Sequence, residues 1–262
     1  MDALAIATPI WVLLFFSLVM ASLVIWIVSL FVSTRRHKKL LSRIMPYAAA
    51  HSLIQSSKIQ SDATTGDNGG GKRQDITVMV VDIRGFTPLT EHLPPLAMTE
   101  LLSDFYETIV TVVQHHHGLV NKFLGDGALI LFGVSGTRQQ THADDALQCA
   151  LVLQKSLHKL SSRWQQQKQL GFQTGISMHS GLAFVGLIGP KQMLEYTAIG
   201  DTVNLAVAIQ QVNKQLSRPI LLTAETVSRL QNPVSSLTPL SSMTLKERDV
   251  PVTLYALQDE GS

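Results

Sequence analysis

The chain has 262 residues, 45% of them hydrophobic, enough to bury one substantial domain and something smaller. A formal net charge of +2 gives no case for nucleic acid as a partner. The single cysteine, Cys149, excludes an intramolecular disulfide and any multi-cysteine zinc site, and its place in an apolar helical pattern marks it as core.

In chain order, residues 3–34 carry no charge, and WVLLFFSLVMASLVIWIVSLFV within them is almost continuously apolar. At a helical rise of about 1.5 Å per residue, some ~20 such residues cross a hydrocarbon layer of ~30 Å. A secretory signal is the rival reading, but only Asp2 precedes the run, with no Lys or Arg, and the run is too long for a signal core. We therefore expect residues 1–34 to be a retained single transmembrane helix. Arg35, Arg36, Lys38, Lys39 and Arg43 come directly after it, and such a cluster predicts that the chain beyond it lies in the cytoplasm, on the inner face of the plasma membrane. The segment 35–75 reads as a juxtamembrane helix interrupted by Pro46, then a polar, glycine-rich tether over Asp62 to Gln74.

From residue 76 onward, strand and helix patterns alternate through 262. Ile76 to Val81 is a short β-branched run that predicts a buried strand. Pro94 to His116 carries Leu101, Leu102, Phe105, Ile109, Val112 and Val113 on a helical stripe, with Gly118 as its stop. Leu119 to Phe123 and Ala128 to Phe132 predict a tight hairpin with Asp126 at its tip. A second helix begins after Thr141, a fair N-cap, with Leu147, Ala150, Leu153, Leu157 and Leu160 on one face. Gln173 to Met178 and Leu182 to Ile188 read as two strands, and GPKQMLEY as a turn or arm. Asp201 to Val212 reads as helix, Pro219 to Leu222 as strand, Ala224 to Leu230 as a short helix and Val252 to Leu257 as the last strand. This mixed order means α+β.

Two aspartates stand out because each sits where an apolar run breaks into glycine: Asp82 in ITVMVVDIRGF and Asp126 in NKFLGDGALILFG. Strand ends of this kind deliver a carboxylate to a sheet rim where backbone can approach a phosphate closely. Two rims suggest a divalent cation, which on nucleotides is usually held by one or two carboxylates and completed by phosphate oxygens. DIRGFT (Asp82 to Thr87), KFLGDG (Lys122 to Gly127) and YTAIGDTVN (Tyr196 to Asn204) together resemble the three signature blocks of the class III nucleotidyl cyclase catalytic domain, over roughly Asp75 to Leu257.

The resemblance implies a ferredoxin-like α+β domain, a central and mostly antiparallel sheet with flanking helices. It implies cyclisation of a nucleoside triphosphate by two Mg²⁺ or Mn²⁺ ions at a head-to-tail homodimer interface. On this pattern Asp82, Asp126 and the carbonyl of Ile83 hold metal, and the amides around Arg84, Gly85 and Phe86 face the phosphates. Lys122 and Thr197 read the base, and Asn204 orients the ribose and nucleophile. Guanylate cyclases of the family carry an acid where Lys122 stands, so Lys122 argues for ATP, and a threonine hydroxyl at Thr197 can accept from the adenine 6-amino group. Lys246, in LKER, resembles the family's phosphate-binding lysine, although Glu247 replaces the usual glycine after it.

One position departs from the pattern. Four residues beyond Asn204, one helical turn on the same face, the family expects an arginine that stabilises the transition state, and this sequence has Ala208. Loss of one preorganised donor typically costs about 10²–10³ in rate. Gln211 carries no charge, and Lys214 and Arg218 are near only in sequence. The chain is then either a membrane-anchored adenylate cyclase weakened at this position, or a catalytically inactive homologue serving as an ATP-binding or dimerising regulatory module. A heteromeric partner supplying an arginine could restore one site. The run His115, His116 and His117 reads as a helix-end cluster, because consecutive residues do not share a helix face.

Overall fold

The computed structural model describes residues 71–134, 140–190, 194–232, 236–245 and 251–257. The expected membrane anchor, the basic cluster, the Pro46 segment, most of the tether and Lys246 lie outside those residues. Among the described residues no helix is long and apolar enough to cross a membrane.

The first strand, β1 (Lys72–Ile83), is the axis of the sheet. It pairs antiparallel with β3 (Gly127–Phe132) on one side and with β4 (Thr174–Ile188) on the other. Side chains alternate across a strand, so its apolar run divides between two faces. Met79, Val81 and Ile83 meet Leu101, Phe105 and Ile109 of α2 (Pro95–His115) and Leu147, Leu153 and Leu157 of α3 (His142–Lys168). Ile76, Val78 and Val80 face the other way, against Leu129, Leu131, Ala183, Val185, Ala198 and Ala206. Burial on both faces explains why this strand reads as continuous rather than alternating.

The full sheet runs β2-β3-β1-β4-β6-β8-β7, with β5 pairing β4 off that path. The remaining strands are β2 (Leu119–Phe123), β5 (Glu195–Ile199), β6 (Ile220–Thr223), β7 (Leu237–Pro239) and β8 (Leu254–Leu257). All pairings are antiparallel except β4 with β6. This is the expected α+β arrangement. Between them lie a short α1 (Phe86–His92), α4 (Asp201–Leu216), whose Leu205 and Ile209 pack on Leu221, Leu254 and Ala256, and a one-turn α5 (Ala224–Val227).

Several local expectations change. β1 starts at Lys72, so Lys72 to Gln74, read as the end of the tether, pair with Val185 to Ala183 of β4. The two strands expected at Gln173 to Met178 and Leu182 to Ile188 are one strand. The polar break between them is a buried pairing, not a turn: Ser180 lies opposite Thr77, their hydroxyls 2.7 Å apart, and Gly181 leaves room for Thr202 of α4. The segment expected as turn or arm closes into β5 from Glu195 onward. α4 runs on to Leu216, four residues past Val212, and ends at Ser217 in a left-handed conformation, φ 53°. Thr141 does stand at the N-terminus of α3, yet its hydroxyl donates to the Asp145 carboxylate at 3.3 Å rather than capping backbone. Cys149 is core, and burial pushes its thiol up to about 12.

Candidate active site

The two aspartates meet because the backbone gives them no alternative. Asp82, next to last in β1, lies opposite Gly127, the first residue of β3, and the amide of Ile83 donates to the Asp126 carbonyl at 2.9 Å. The turn closes with Leu124 N–H donating to the Gly127 carbonyl at 2.8 Å. Position 127 must be glycine, since a Cβ there would stand 2.3 Å from the Val81 carbonyl oxygen. Tyr106 of α2 steadies the turn from outside, stacking on Phe123 with ring centroids 4.0 Å apart and donating its hydroxyl to the Gly125 carbonyl. The sequence pattern had marked Tyr106 only as a helical residue; an aromatic between core positions Phe105 and Ile109 was the signal available.

Lys214 corrects the sequence reading most directly. Its ammonium lies 2.7 Å from Asp82 Oδ2 and 3.8 Å from Asp126 Oδ2, so it belongs to the carboxylate cluster rather than being near in sequence alone. The neighbouring residue explains the placement. Asn213 is fully buried, donates to the Ile176 carbonyl at 2.9 Å and to Ser177 Oγ at 3.3 Å, and accepts from Arg84 Nη2 at 3.0 Å. Gln210, one turn earlier, accepts from Ser177 Oγ at 2.6 Å and donates to the Gly175 carbonyl at 3.1 Å. These amides pin the last turns of α4 to β4, and Arg84 also donates to the Arg218 carbonyl just beyond the helix. Arg218 thus meets the site through its backbone.

This packing sets the electrostatics. Burial raises the Asp82 carboxyl above the usual carboxylate range, the Lys214 hydrogen bond pulls it back, and nearby Asp126 raises it further. Burial lowers the Arg84 guanidinium, with Asp82 opposing. Among the described residues Asp82 Oδ1 is buried with no hydrogen-bond partner. A buried, unpaired carboxylate oxygen costs free energy unless a cation or donor meets it, so the pair fits a hard divalent ion. Among the described residues no group of three or more His, Cys, Asp or Glu could hold a metal unaided. An ion here would draw on Asp82, Asp126, the expected carbonyl of Ile83 and substrate oxygens. Beside it Gly85, at φ 63° and exposed, turns the chain into α1. The Arg84 amide donates to the Gln173 carbonyl at 2.8 Å, which removes it from the expected phosphate-facing set and leaves the amides of Gly85 and Phe86 as candidates.

The two base-reading candidates are joined by Asn121. Its side-chain N–H donates to the Tyr196 carbonyl at 2.8 Å, which fixes the amide orientation, and its Oδ1 accepts from the Thr197 hydroxyl at 2.9 Å. Lys122 on β2 forms an ion pair at 2.9 Å with Glu195, two residues before Thr197 on β5. Neither Asn121 nor Glu195 was singled out from sequence. Asn204 stands apart from both clusters. It is exposed on α4, as are Val207 and Gln211, with Ala208 half-buried at the edge of that stripe against the Leu221 and Leu254 cluster, and among the described residues no hydrogen bond or ion pair joins the Asn204 side chain to either cluster.

Comparison with known proteins gives one consistent picture. The model of the "Adenylate and Guanylate cyclase catalytic domain" matches residues 71–259. Adenylate cyclase 1 of Rhizobium meliloti is 32% identical over 206 residues, covering 77% of this chain and 30% of that protein. The adenylate cyclase of Anabaena cylindrica is 29% identical over 196 residues, covering 72% of this chain and 38% of that protein. The chain thus spans well under half the length of these relatives. Among solved structures, the adenylyl cyclase CyaB from P. aeruginosa superposes with a TM-score of 0.67 at 27% identity, covering 72% of this chain and 96% of that one. The guanylyl cyclase Cya2 gives a TM-score of 0.65, also at 27%, covering 72% and 93%. Likeness to one of each kind leaves the choice of base to the residues themselves.

Proposed function

The chain belongs to the adenylate and guanylate cyclase catalytic domain family, and on that premise we propose that it is an adenylate cyclase, converting ATP to cyclic AMP and pyrophosphate for intracellular signalling, as a dimer using Mg²⁺ or Mn²⁺. The observation that carries this reading is the convergence of Asp82 and Asp126 on one cationic group, at 2.7 and 3.8 Å, with the second Asp82 oxygen buried and unpartnered. Two divalent ions bound there supply activation of the 3′-hydroxyl and neutralisation of the leaving pyrophosphate. The chain's own residues do the rest. Asp82, Asp126 and the Ile83 carbonyl hold charge at the rim, and the Gly85 and Phe86 amides receive phosphate oxygens. Asn204 orients the ribose, and Lys246 reaches the polyphosphate.

Base choice rests on hydrogen-bond direction. The Thr197 hydroxyl gives its proton to Asn121, so its lone pairs face the base as acceptors. That suits the 6-amino donor of adenine and repels the 6-oxo acceptor of guanine. Glu195 takes one of the three Lys122 donors, leaving others for adenine N1. Exposed apolar residues support a second copy as partner: Leu182, Phe184 and Ile199 on the β4 and β5 arm and Val207 beside Asn204 on α4. In that dimer the aspartates of one protomer face Lys122, Thr197 and Asn204 of the other. The uncharged run over residues 3–34 and the basic cluster after it support a membrane anchor with the catalytic domain in the cytoplasm.

The test is cyclic AMP formation by the full chain with Mg-ATP and Mn-ATP, beside GTP and beside Asp82→Asn. Loss of one metal carboxylate removes several kcal/mol of charge stabilisation, about 10³-fold in rate. Cyclic AMP formation by the native chain that persists undiminished in Asp82→Asn sinks the metal reading, and preferential turnover of GTP sinks the base reading. Ala208 favours a second reading, an inactive homologue that binds ATP and regulates by dimerising, or one whose heteromeric partner supplies the arginine.

A further inference from the structure

Among the described residues, Lys214 is the one cation that both candidate metal carboxylates share, and it is held in place from below. Asn213, fully buried with hydrogen bonds to Ile176, Ser177 and Arg84, fixes the last turns of α4. Successive helix residues are about 100° apart, so with Asn213 pointing into the sheet Lys214 leaves from the helix edge. There its ammonium reaches Asp82 at 2.7 Å and Asp126 at 3.8 Å. It comes from the same protomer as the aspartates and lies along the helix from the Asn204 and Ala208 stripe, so it belongs to the carboxylate half of the site. Its side chain is 36% exposed, enough for the flexible stem to swing without disturbing the core.

A divalent ion bridging Asp82 and Asp126 would lie beside the ammonium that stands 2.7 Å from Asp82 Oδ2, and two cations so close repel each other. Metal uptake is therefore opposed while Lys214 stays in place. Without nucleotide, Lys214 has among the described residues no ion-pair partner besides Asp82 and Asp126, whereas the polyphosphate of a bound nucleotide offers several acceptor oxygens. We propose that Lys214 is a resident counter-ion of the carboxylate pair, which opposes metal binding in the absence of nucleotide and passes to the polyphosphate when both bind, coupling metal uptake to nucleotide uptake. This rests on the metal reading of Asp82 and Asp126. It makes Lys214 a positioning residue, acting through the carboxylates.

The test is Mn²⁺ binding measured by electron paramagnetic resonance on the full chain in detergent micelles, with and without 2′,3′-dideoxy-ATP, which lacks the attacking hydroxyl. For Lys214→Met we expect Mn²⁺ alone to bind about fivefold more tightly, the size a partly exposed ion pair supports. The factor by which nucleotide tightens Mn²⁺ binding should shrink. Lys214→Arg, which keeps the charge, should restore both values toward the native ones, and a cooperative melting transition in EDTA confirms that each variant is folded. Unchanged affinity for Mn²⁺ alone in Lys214→Met, or an unchanged nucleotide factor, overturns the inference while leaving the metal site standing. If the native chain binds no Mn²⁺ even with the nucleotide present, the metal reading itself falls and this one with it.

Discussion

At the carboxylate rim, position is set by the backbone: Asp82 lies opposite Gly127 in the ladder, and the Ile83 amide holds the Asp126 carbonyl at 2.9 Å. On the outer stripe of α4, Asn204, Val207 and Gln211 are exposed, Ala208 is half-buried against the Leu221 and Leu254 cluster, and most of what fixes the helix lies on its opposite face. The first region can be built within one chain, while the second has its surface turned outward and waits for something to face. The departure from the family pattern lies in the second region. A sheet rim that is over-determined tolerates little change without losing the fold, whereas an exposed helical stripe can lose a charged side chain at no cost to folding. Catalytic weakening at Ala208 is therefore compatible with a fully stable domain.

The largest gain should come from supplying what this stripe lacks. Ala208→Arg restores one cationic donor at the family's position, and such a donor is worth about 10²–10³ in rate, or ~2.7–4 kcal/mol. We expect kcat for cyclic AMP formation to rise by that order with little change in KM, and the melting temperature to fall slightly at most, since Ala208 is half-buried at the edge of the Leu221 and Leu254 cluster. A rise in neither quantity would mean that the stripe does not face a substrate, and the comparison between the regions would lose its catalytic half.

The converse experiment strikes the rim. Gly127→Ala places a Cβ against the Val81 carbonyl at 2.3 Å, backbone against backbone, where neither strand can yield cheaply. Overpacking of this kind costs about 1–3 kcal/mol, so the urea midpoint should fall, and activity with it as Asp126 moves off Asp82. A variant of native stability would show that the ladder is looser than its register implies.

How much of this was legible beforehand depends on what the residue pattern encodes. Asp82 and Asp126 were legible because apolar runs, glycines and strand period carry backbone information. The hairpin boundaries came out within one residue for the same reason. Lys214 was not legible: the 3.6 period assigns a residue to a helix edge without saying which strand end lies across from it. Gln210 and Asn213 were not singled out, because burial of a polar side chain is decided by partners such as the Ile176 carbonyl that are far away in sequence. The join of two expected strands into β4 hid behind His179, Ser180 and Gly181, whose turn-like composition serves a buried hydroxyl pairing instead. The order β4-β6-β8, with its parallel pair, rests on crossover connections that no local pattern records.

The smallest effect concerns a group outside both regions. His142, at the start of α3, is buried, with Nδ1 2.7 Å from the Thr77 hydroxyl and Nε2 3.9 Å from Asp75 Oδ2. Burial lowers its pKa below the ordinary histidine value, Asp75 partly opposing and Arg229 assisting. The native protein thus prefers the neutral ring, while the unfolded chain protonates near pH ~6.5. As pH falls through that value the unfolded state takes up a proton that the native state refuses, so stability falls, with a slope of at most about 1.4 kcal/mol per pH unit for one group. The loss stops once pH drops below the native pKa. Urea midpoints for the native chain and His142→Asn between pH 7.5 and 5.5 isolate this group, because the other histidines cancel in the difference. The gap between the two proteins should narrow as pH falls. Thr77 lies five residues back along β1 from Asp82, so the ratio of the two proteins' activities should stay flat over the range where both are folded. A ratio that bends with pH would mean that the His142 contact reaches the carboxylate rim, and the separation of the rim from the rest of the sheet would have to be given up.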